Sequence, residues 1–313
     1  MNETTDLLER SALTAQDASR LPLVWHTDRR ETTGRVGRLS YFVAGDGPPL
    51  LLIHSVNAAA SAYEVRPILD SMQSTHRVYA VDLPGFGFSD RRSRDYSVRL
   101  FVDAVHDMLD VIATDAGSVP IDALALSLGA EFLARAAIEV PARFRSLTLV
   151  APTVFSRGAS TVDAPAGATR EMPGLLRALQ FPLWSQTIFD LLVSRRSIRY
   201  FLRRTWGSKH IDEGLFEYCY QEAHQPDACN APFAFVSGRL FSKDIERIYE
   251  ALKVPVWVPH GTRGDFEEFS QAWTVAQRPN WSFQSFDSGA MPHFERPEEF
   301  FPALMRFVGG AQS

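Results

Sequence analysis

The chain has 313 residues, of which 45% are hydrophobic and 22% are charged, and its formal net charge is −5. This composition is that of an ordinary globular protein and excludes a disordered or fibrous chain. The acidic balance excludes a general electrostatic attraction for nucleic acid or for an anionic membrane. The two cysteines cannot form a disulfide framework, and no apolar run reaches the ~18 residues of a membrane span. Because the acidic, polar N-terminus also lacks the pattern of a secretory signal, we expect a cytoplasmic protein.

Strand-like and helix-like segments alternate over the first half of the chain. Short apolar runs predict strands at residues 39–43, 49–54, 77–81, 121–126 and 147–151. Helical periodicity predicts helices at residues 61–73, 98–113 and 128–139. Strands that alternate with helices of this length form right-handed βαβ units around a parallel sheet.

This alternation stops after residue 152. A linker rich in Gly, Ala, Ser and Pro at 156–168 leads into helical periodicity without strands, and strands return at 254–259 and 281–286 before a last helix that begins near 297. The sequence therefore predicts an N-terminal extension, one core domain in two parts and a helical cap inserted between them. Their boundaries are 1–20 for the extension, 21–154 and 253–313 for the core, and 155–252 for the cap.

The segment from Ala123 to Ala130 predicts a strand that runs into a serine and then into a helix. A nucleophilic serine needs its hydroxyl exposed at a tight strand-to-helix turn, and small residues two positions before and after it prevent a clash. Ala125 and Gly129 meet that requirement around Ser127. A serine that only caps the following helix would give the same local pattern, so the segment alone leaves both interpretations open.

Two loops further along the chain supply a candidate acid and a candidate base. Asp265 ends a Gly-rich loop after the strand at 254–259, and His293 lies between the last strand and the last helix. In this arrangement the histidine would take the Ser127 proton and return it to the leaving group, while the aspartate would fix the imidazole tautomer. Asp163 and Asp287 are alternative acids; Asp265 is preferred because Asp163 lies far along the linker and Asp287 ends a strand.

Residues 82–90, Asp-Leu-Pro-Gly-Phe-Gly-Phe-Ser-Asp, complete the set of motifs. From residue 39 to the C-terminus the sequence resembles the α/β-hydrolase superfamily, in its capped single-domain branch. The resemblance implies an α/β fold with a mostly parallel sheet of about eight strands, flanked by helices and carrying an inserted helical cap. It also implies that residues 82–90 form a structural turn near the site. Ser127 argues against the haloalkane dehalogenases and epoxide hydrolases of this fold, which use aspartate as the nucleophile.

The stretch His54-Ser55-Val56-Asn57 follows a predicted strand, at a place where relatives usually have His-Gly. In relatives the N–H of the next residue helps to form the oxyanion hole, so the resemblance implies the backbone N–H groups of Val56 and Leu128 as oxyanion donors. Because Ser55 replaces the glycine, the backbone there must avoid a conformation that needs a positive φ. Ser55 and Asn57 either contribute side-chain donors to the oxyanion or simply satisfy backbone groups of the loop.

Two charged pairs near these loops are interpreted as structural. Glu64 and Arg66 follow the oxyanion loop and would form a latch more readily than they would face a polar substrate group. Glu131 and Arg135 are spaced i, i+4 on the helix after Ser127, so an ion pair is expected.

The predicted cap is rich in aromatic residues between positions 181 and 241, and some of them are expected to line an apolar cleft above Ser127. Five arginines between positions 195 and 204 lie among apolar residues. A solvated helix face explains them more readily than contact with a membrane or an anionic substrate. The predicted partner is a hydrophobic small molecule, with no nucleic acid, cofactor or metal and with the oligomeric state left open.

The sequence thus predicts a serine hydrolase that cleaves a carboxylic ester of an apolar or aromatic molecule through an acyl-enzyme. Hydrolysis of a C–C bond in a vinylogous diketone would use the same three residues, and a cap arginine would then be expected to hold the substrate carboxylate. A non-catalytic ligand receptor or scaffold of the same fold is the third interpretation, because Ser55 departs from the family pattern.

Overall fold

A computed structural model describes residues 21–22, 28–153, 164–264 and 273–310. The predicted extension at 1–20 and the candidate acids Asp163 and Asp265 lie outside the described residues. The strands are β1 (Asp28–Gly34), β2 (Gly37–Ala44), β3 (Pro49–Ile53), β4 (Arg77–Asp82), β5 (Ile121–Leu126), β6 (Phe144–Val150), β7 (Val256–Gly261) and β8 (Trp281–Phe286). The helices are α1 (Arg66–Met72), α2 (Val98–Ala116), α3 (Gly129–Glu139), α4 (Leu175–Leu179), α5 (Ser185–Leu192), α6 (Arg195–Trp206), α7 (Glu213–Ala223), α8 (Asn230–Val236), α9 (Ile245–Ala251), α10 (Trp273–Ala276), α11 (Pro292–Glu295) and α12 (Pro297–Gly310).

The eight strands form one sheet in the order β1-β2-β4-β3-β5-β6-β7-β8. Strand β2 is antiparallel to β1 and β4, and the other neighbouring pairs are parallel. The predicted fold class is therefore confirmed. Strand β1 was not predicted, because it is a polar edge strand with the sequence DRRETTG and has no apolar run or buried face.

The sheet is covered on both faces, which explains the continuous apolar runs in β3 and β5. On one face, Leu51 and Ala123 belong to a cluster with residues of α2 and α3. On the other face, Leu50 and Leu124 pack in a cluster with residues of α1 and α12. The carboxyl ends of the parallel strands therefore meet at one edge of a rigid layer, where open α/β sheets bind their ligands.

A helical insertion (residues 164–252) separates β6 from β7 and contains α4 to α9. It packs on the core through an apolar cluster, here called the interface cluster. The core side contributes Ala59, Tyr63 and Met291, and the insertion side includes Phe189, Trp206, Leu215, Phe216 and Phe233.

The predicted domain boundaries themselves stay a prediction. Among the described residues, no helix has both the length and the apolarity needed to cross a bilayer.

Residues 82–90 form a compact turn, as the resemblance implies. The Asp82 carboxylate accepts hydrogen bonds from the N–H groups of Ala62 at 2.9 Å and Phe88 at 3.0 Å. Gly87 has a φ of 53°, and a Cβ there would lie 1.9 Å from the Asp82 carboxyl carbon. The turn therefore requires glycine at this position, and Asp82 ties it to the segment that follows the oxyanion loop.

The insertion is held to this turn by a buried ion pair. Glu222 on α7 accepts a hydrogen bond from the Gly87 N–H at 3.1 Å and lies 3.0 Å from the Arg91 guanidinium. Burial raises the pKa of Glu222 to about 7, although Arg91 and the Gly87 N–H oppose this shift. Asp82 is also close enough to raise the pKa of Glu222.

We expect this carboxyl to make stability depend on pH. Its pKa is higher in the folded protein, about 7, than its ordinary value of 4.5. The contribution is therefore fully present below pH ~4.5 and is lost as the pH rises through ~7, with a size on the order of 3 kcal/mol. A Glu222→Gln variant should show a smaller fall of Tm between pH 5 and 8 than the wild type in scanning calorimetry. Parallel curves would contradict the assignment.

Candidate active site

Ser127 lies on a sharp turn between β5 and α3. Its backbone has a φ of 47°, in the left-handed region that residues with a Cβ rarely adopt. The turn is held by hydrogen bonds from the Ser127 N–H to the Val150 carbonyl at 2.9 Å and from the Ala130 N–H to the Ser127 carbonyl at 3.1 Å. The serine is half-buried, and the described residues provide no hydrogen-bond partner for its hydroxyl. This is the geometry of a nucleophile elbow.

The strain at Ser127 can be measured. A left-handed conformation costs a residue with a Cβ ~1–2 kcal/mol relative to glycine. We therefore expect Ser127→Gly to be more stable to urea than Ser127→Ala by about 1 kcal/mol, although both remove the hydroxyl. Equal unfolding free energies for the two variants would show that the turn is unstrained.

The two predicted oxyanion donors lie close to this elbow. A Cβ on Gly129, next to Leu128, would lie 2.5 Å from the carbonyl oxygen of His54, so the start of α3 is in close contact with the oxyanion loop. Within the described part of the chain, neither the Val56 N–H nor the Leu128 N–H donates a hydrogen bond. One of these unused N–H groups follows Ser127 and the other lies in the loop that contacts the start of α3, a pair suited to bind a developing oxyanion.

The side chains of the oxyanion loop do not point donors into the site. The buried Glu64 carboxylate accepts hydrogen bonds from the Ser55 N–H at 2.8 Å, the Ser55 hydroxyl at 3.0 Å and the Asn57 amide at 2.9 Å. The Asn57 amide also donates to the Ser55 hydroxyl oxygen at 2.9 Å. In this conformation the structure therefore does not support Ser55 and Asn57 as side-chain oxyanion donors, because Glu64 and Ser55 accept their hydrogens. The predicted latch between Glu64 and Arg66 is also wrong: Arg66 instead lies over the Tyr63 ring at 4.6 Å.

The Glu64 carboxyl group is buried and organises the oxyanion loop through its hydrogen bonds. It is 2% exposed, and burial raises its pKa, while the hydrogen bonds from Ser55 and Asn57 lower it. No signal in the sequence around Glu64 pointed to this role, because its partners are seven and nine residues away in a loop. Ser55 itself is not in the left-handed region, which agrees with the requirement that the serine imposes.

His54 is a structural residue. Its Nε2 accepts a hydrogen bond from the Leu83 N–H at 3.0 Å, so Nδ1 carries the proton and donates to the Ser55 carbonyl at 2.5 Å. Burial lowers the pKa of His54 to about 4. The neutral ring therefore connects the oxyanion loop to the end of β4.

The structure does not bring His293 and Ser127 into hydrogen-bond contact. The imidazole is fully buried, and its Nε2 donates to the backbone carbonyl of Glu64 at 2.8 Å. Its Nδ1 has no hydrogen-bond partner among the described residues. The ring packs beside Phe294 and Phe300, and burial lowers the pKa of His293 to about 4. In this conformation the predicted proton relay from Ser127 is therefore not formed.

The acid of the predicted relay cannot be placed, because Asp265 lies outside the described residues and its contact with His293 stays a prediction. The alternative acid Asp287 is highly exposed and pairs with Arg263 at 3.3 Å. The Asp287 carboxylate therefore does not accept a hydrogen bond from the His293 imidazole. Arg263 also pairs with Glu295 at 2.7 Å, which joins the loops that follow β7 and β8.

The loop after β8 reaches the insertion through residues that precede His293. The Ala290 N–H donates to the Thr205 carbonyl at 2.9 Å, and Met291 belongs to the interface cluster. A Cβ on Gly289 would lie 2.2 Å from the same Thr205 oxygen. Ala290 and Met291 thus contact the insertion, while His293 lies on the short helix α11 with its ring in the core.

The predicted pair on α3 is also absent. Glu131 is fully buried and accepts hydrogen bonds from the Thr153 hydroxyl and from the Ser242 N–H, the former at 2.5 Å and the latter at 3.0 Å. Arg135 pairs instead with Asp244. Helical spacing pointed to a surface pair, but the insertion covers this face of α3 and supplies other partners.

Comparison with known proteins identifies a family. The sequence profile of the Alpha/beta hydrolase family matches residues 50–303. A pimeloyl-[acyl-carrier protein] methyl ester esterase of Xanthomonas axonopodis pv. citri is 33% identical over 131 residues, which are 42% of this chain and 46% of that protein. A 2-hydroxy-6-oxo-2,4-heptadienoate hydrolase of Pseudomonas putida is 26% identical over 46% of this chain and 52% of that protein. The chain thus spans about half the length of these curated relatives.

Solved structures match over nearly the whole chain. A probable hydrolytic enzyme from Pseudomonas aeruginosa PAO1 has a TM-score of 0.72 with 18% identity and covers 92% of this chain and 96% of its own. A serine hydrolase involved in carbazole degradation has a TM-score of 0.70 with 18% identity and covers 90% of this chain and 98% of its own. At these identities the likeness concerns the fold alone.

Proposed function

Because the chain belongs to the alpha/beta hydrolase family, we propose that it is a serine hydrolase that cleaves a carboxylic ester of an apolar or aromatic small molecule. The observation that carries this proposal is the strained conformation of Ser127, with a φ of 47°, directly before the unused N–H of Leu128. Such strain costs ~1–3 kcal/mol and clusters at functional sites. A serine that only capped α3 would not need it.

In this proposal the Ser127 oxygen attacks the ester carbonyl and the N–H groups of Val56 and Leu128 bind the oxyanion. Collapse of the tetrahedral intermediate breaks the carbonyl–oxygen bond, releases the alcohol with a proton and leaves an acyl-serine. Water then attacks the acyl carbon and releases the acid. The residues between the core and the insertion are apolar, which supports a substrate with an apolar acyl or alcohol group.

The base in this proposal is His293, assisted by Asp265, and the ring must leave the Glu64 carbonyl before it can accept the Ser127 proton. In its buried orientation the pKa of His293 is lowered by burial to about 4, so the ring is neutral at pH 7, the form that a general base requires. The cytoplasmic location likewise stays a prediction.

Ester hydrolysis is preferred to C–C hydrolysis because of where the arginines of α6 lie. Arg195 and Arg199 pair with Glu217 and Glu213, both at 2.6 Å, on the exposed side of the insertion. Two of the five arginines of α6 therefore already have carboxylate partners, which supports ester hydrolysis over a C–C hydrolysis that would need a cap arginine for its substrate. The relatives include both an esterase and a 2-hydroxy-6-oxo-2,4-heptadienoate hydrolase, so they support hydrolysis without favouring either bond.

A fluorophosphonate probe tests the proposal, because it reacts with an activated serine. We expect covalent labelling of the wild type at Ser127, identified by mass spectrometry, and none of Ser127→Gly. Absence of labelling in folded wild-type protein would overturn the proposal. The His293→Ala variant then tests the base: labelling at the wild-type rate would exclude His293 from proton transfer while leaving Ser127 as the nucleophile.

A second candidate function is favoured by the hydrogen bond between His293 and Glu64. Since that bond occupies the proposed base, the chain could use the same fold to bind a ligand without cleaving it. In that case the folded protein would resist the probe and would release no p-nitrophenol from p-nitrophenyl esters above the Ser127→Gly background.

A further inference from the structure

The helical insertion carries most of the large apolar side chains that the described residues expose. Members of this group, between positions 172 and 201, are Met172, Phe181, Leu183, Trp184, Ile188, Leu191, Tyr200 and Phe201. Leu183 is 81% exposed and Leu191 is 69% exposed. The remaining exposed large apolar residues are scattered singly, as is usual for a protein surface. We call residues 172–209 the exposed apolar segment.

Helix α5 presents a continuous stripe to the solvent. It buries Phe189, and the opposite face carries Trp184, Ile188 and Leu191 at the spacing i, i+4, i+7. The preceding turn adds Phe181, whose ring lies 4.5 Å from that of Trp184. Desolvating this stripe would be favourable, yet nothing in the described chain covers it.

Helix α6 continues the pattern with positive charge. It buries Ile198 and Trp206, while Arg196, Tyr200 and Arg203 share the exposed face at the spacing i, i+4, i+7. Arg195 and Arg199 are neutralised by glutamates of α7, but neither Arg196 nor Arg203 has an ion-pair partner among the described residues. An exposed aromatic between unpaired arginines is typical of a helix that lies at a lipid interface.

The charge of this segment differs from that of the whole protein. Residues 172–209 contain seven Arg and Lys residues and one acidic residue, Asp190, although the chain as a whole has a net charge of −5. A symmetric contact with a second copy would bring Arg196 and Arg203 of both copies into one interface, and the repulsion between these positive charges opposes self-association through this face. An anionic lipid surface instead complements the charge and covers the apolar stripe.

We propose that the exposed apolar segment docks the protein peripherally on an anionic lipid membrane, with α5 and α6 lying in the interface. The sequence alone favoured a solvated face for the arginines of α6, since it could not show that the neighbouring helix α5 exposes an apolar face. This inference does not depend on the proposed ester hydrolysis.

Vesicle flotation with the full chain tests the proposal. We expect the protein to float with vesicles of equal parts phosphatidylcholine and phosphatidylglycerol and not with phosphatidylcholine alone. Leu191→Glu and the pair Arg196→Gln/Arg203→Gln should each lower the partition coefficient about tenfold or more. Val119→Glu, at a residue that is also exposed but lies outside the segment, should bind like the wild type. Ser127→Gly should also bind normally, which separates this proposal from the catalytic one.

Two results would overturn the proposal. One is absence of flotation with the anionic vesicles at low salt. The other is a dimer in analytical ultracentrifugation that Leu191→Glu dissociates, since the stripe would then be covered by a second copy. Circular dichroism of each variant is needed to show that it is folded. The total tryptophan emission, to which the exposed Trp184 contributes, should shift to the blue on addition of vesicles only in variants that bind.

Discussion

Replacing Glu64 by alanine is expected to cause a large loss of stability and of Ser127 reactivity together. The carboxylate accepts three hydrogen bonds from Ser55 and Asn57 in a buried place. Without it, those donors lose their acceptor, and each buried unsatisfied group costs ~1–3 kcal/mol. We expect the free energy of urea unfolding to fall by about 3 kcal/mol or more.

The loss of reactivity has a separate cause. Val56 lies between Ser55 and Asn57, so the carboxylate holds both neighbours of the proposed oxyanion donor. If the Val56 N–H moves, the rate of acylation should fall by ~10²–10³, the usual cost of one lost oxyanion donor. The rate of fluorophosphonate labelling at saturating probe measures this directly.

Glu64→Gln separates stability from positioning. The amide is nearly isosteric and keeps one acceptor oxygen, so most of the fold energy should remain, at a cost of about 1 kcal/mol. Its NH₂ group must however face a former donor, which shifts the loop and should still lower the labelling rate. Glu298→Ala, which removes an exposed glutamate on α12, is the matched control and should change stability by less than about 0.5 kcal/mol. A Glu64→Ala variant with wild-type stability and reactivity would refute the role of Glu64.

The sheet and the elbow could be predicted because their signals are local. The runs at 49–54 and 121–126 are continuously apolar since both faces of β3 and β5 are buried, and small residues surround Ser127 because the turn is tight. Strand β1 gives no such signal, since an edge strand can be polar on both faces. Local patterns thus identify buried strands better than exposed ones.

The orientation of His293 could not be predicted, because it depends on an atom 229 residues away in the chain. The histidine lies in the expected loop, but α11 turns its ring to the core, where the Glu64 carbonyl accepts its proton. Chain order gives the position of a residue and not its rotamer. The same reason applies to Glu131 and Arg135, whose spacing fits a pair but whose partners come from the insertion and the end of β6.

The sequence also could not show which face of helix α5 in the insertion is buried. Phe189 and Leu191 are both apolar residues of one helix, but the first is 2% exposed and the second 69%. Periodicity can identify a helix with two apolar faces, but only the packed structure shows which face meets the core.

Gly129→Ala is expected to separate the elbow from the oxyanion loop. The added methyl would lie 2.5 Å from the His54 carbonyl oxygen and 3.2 Å from the Ile53 side chain. The first neighbour is backbone and cannot rotate away, so either α3 or the end of β3 must move. Overpacking of this kind costs ~1–3 kcal/mol, which exceeds the gain of up to ~1 kcal/mol from alanine in a helix.

The shift would also move Leu128, which precedes Gly129, relative to the loop that carries Val56. We therefore expect a lower Tm together with a labelling rate that falls by ~10² or more. Gly309→Ala on α12 is the matched control, because a Cβ there meets nothing within 4 Å. That variant should keep the labelling rate and gain up to ~1 kcal/mol in stability. If Gly129→Ala behaved like Gly309→Ala, the close approach of His54 to α3 would not position the oxyanion donors.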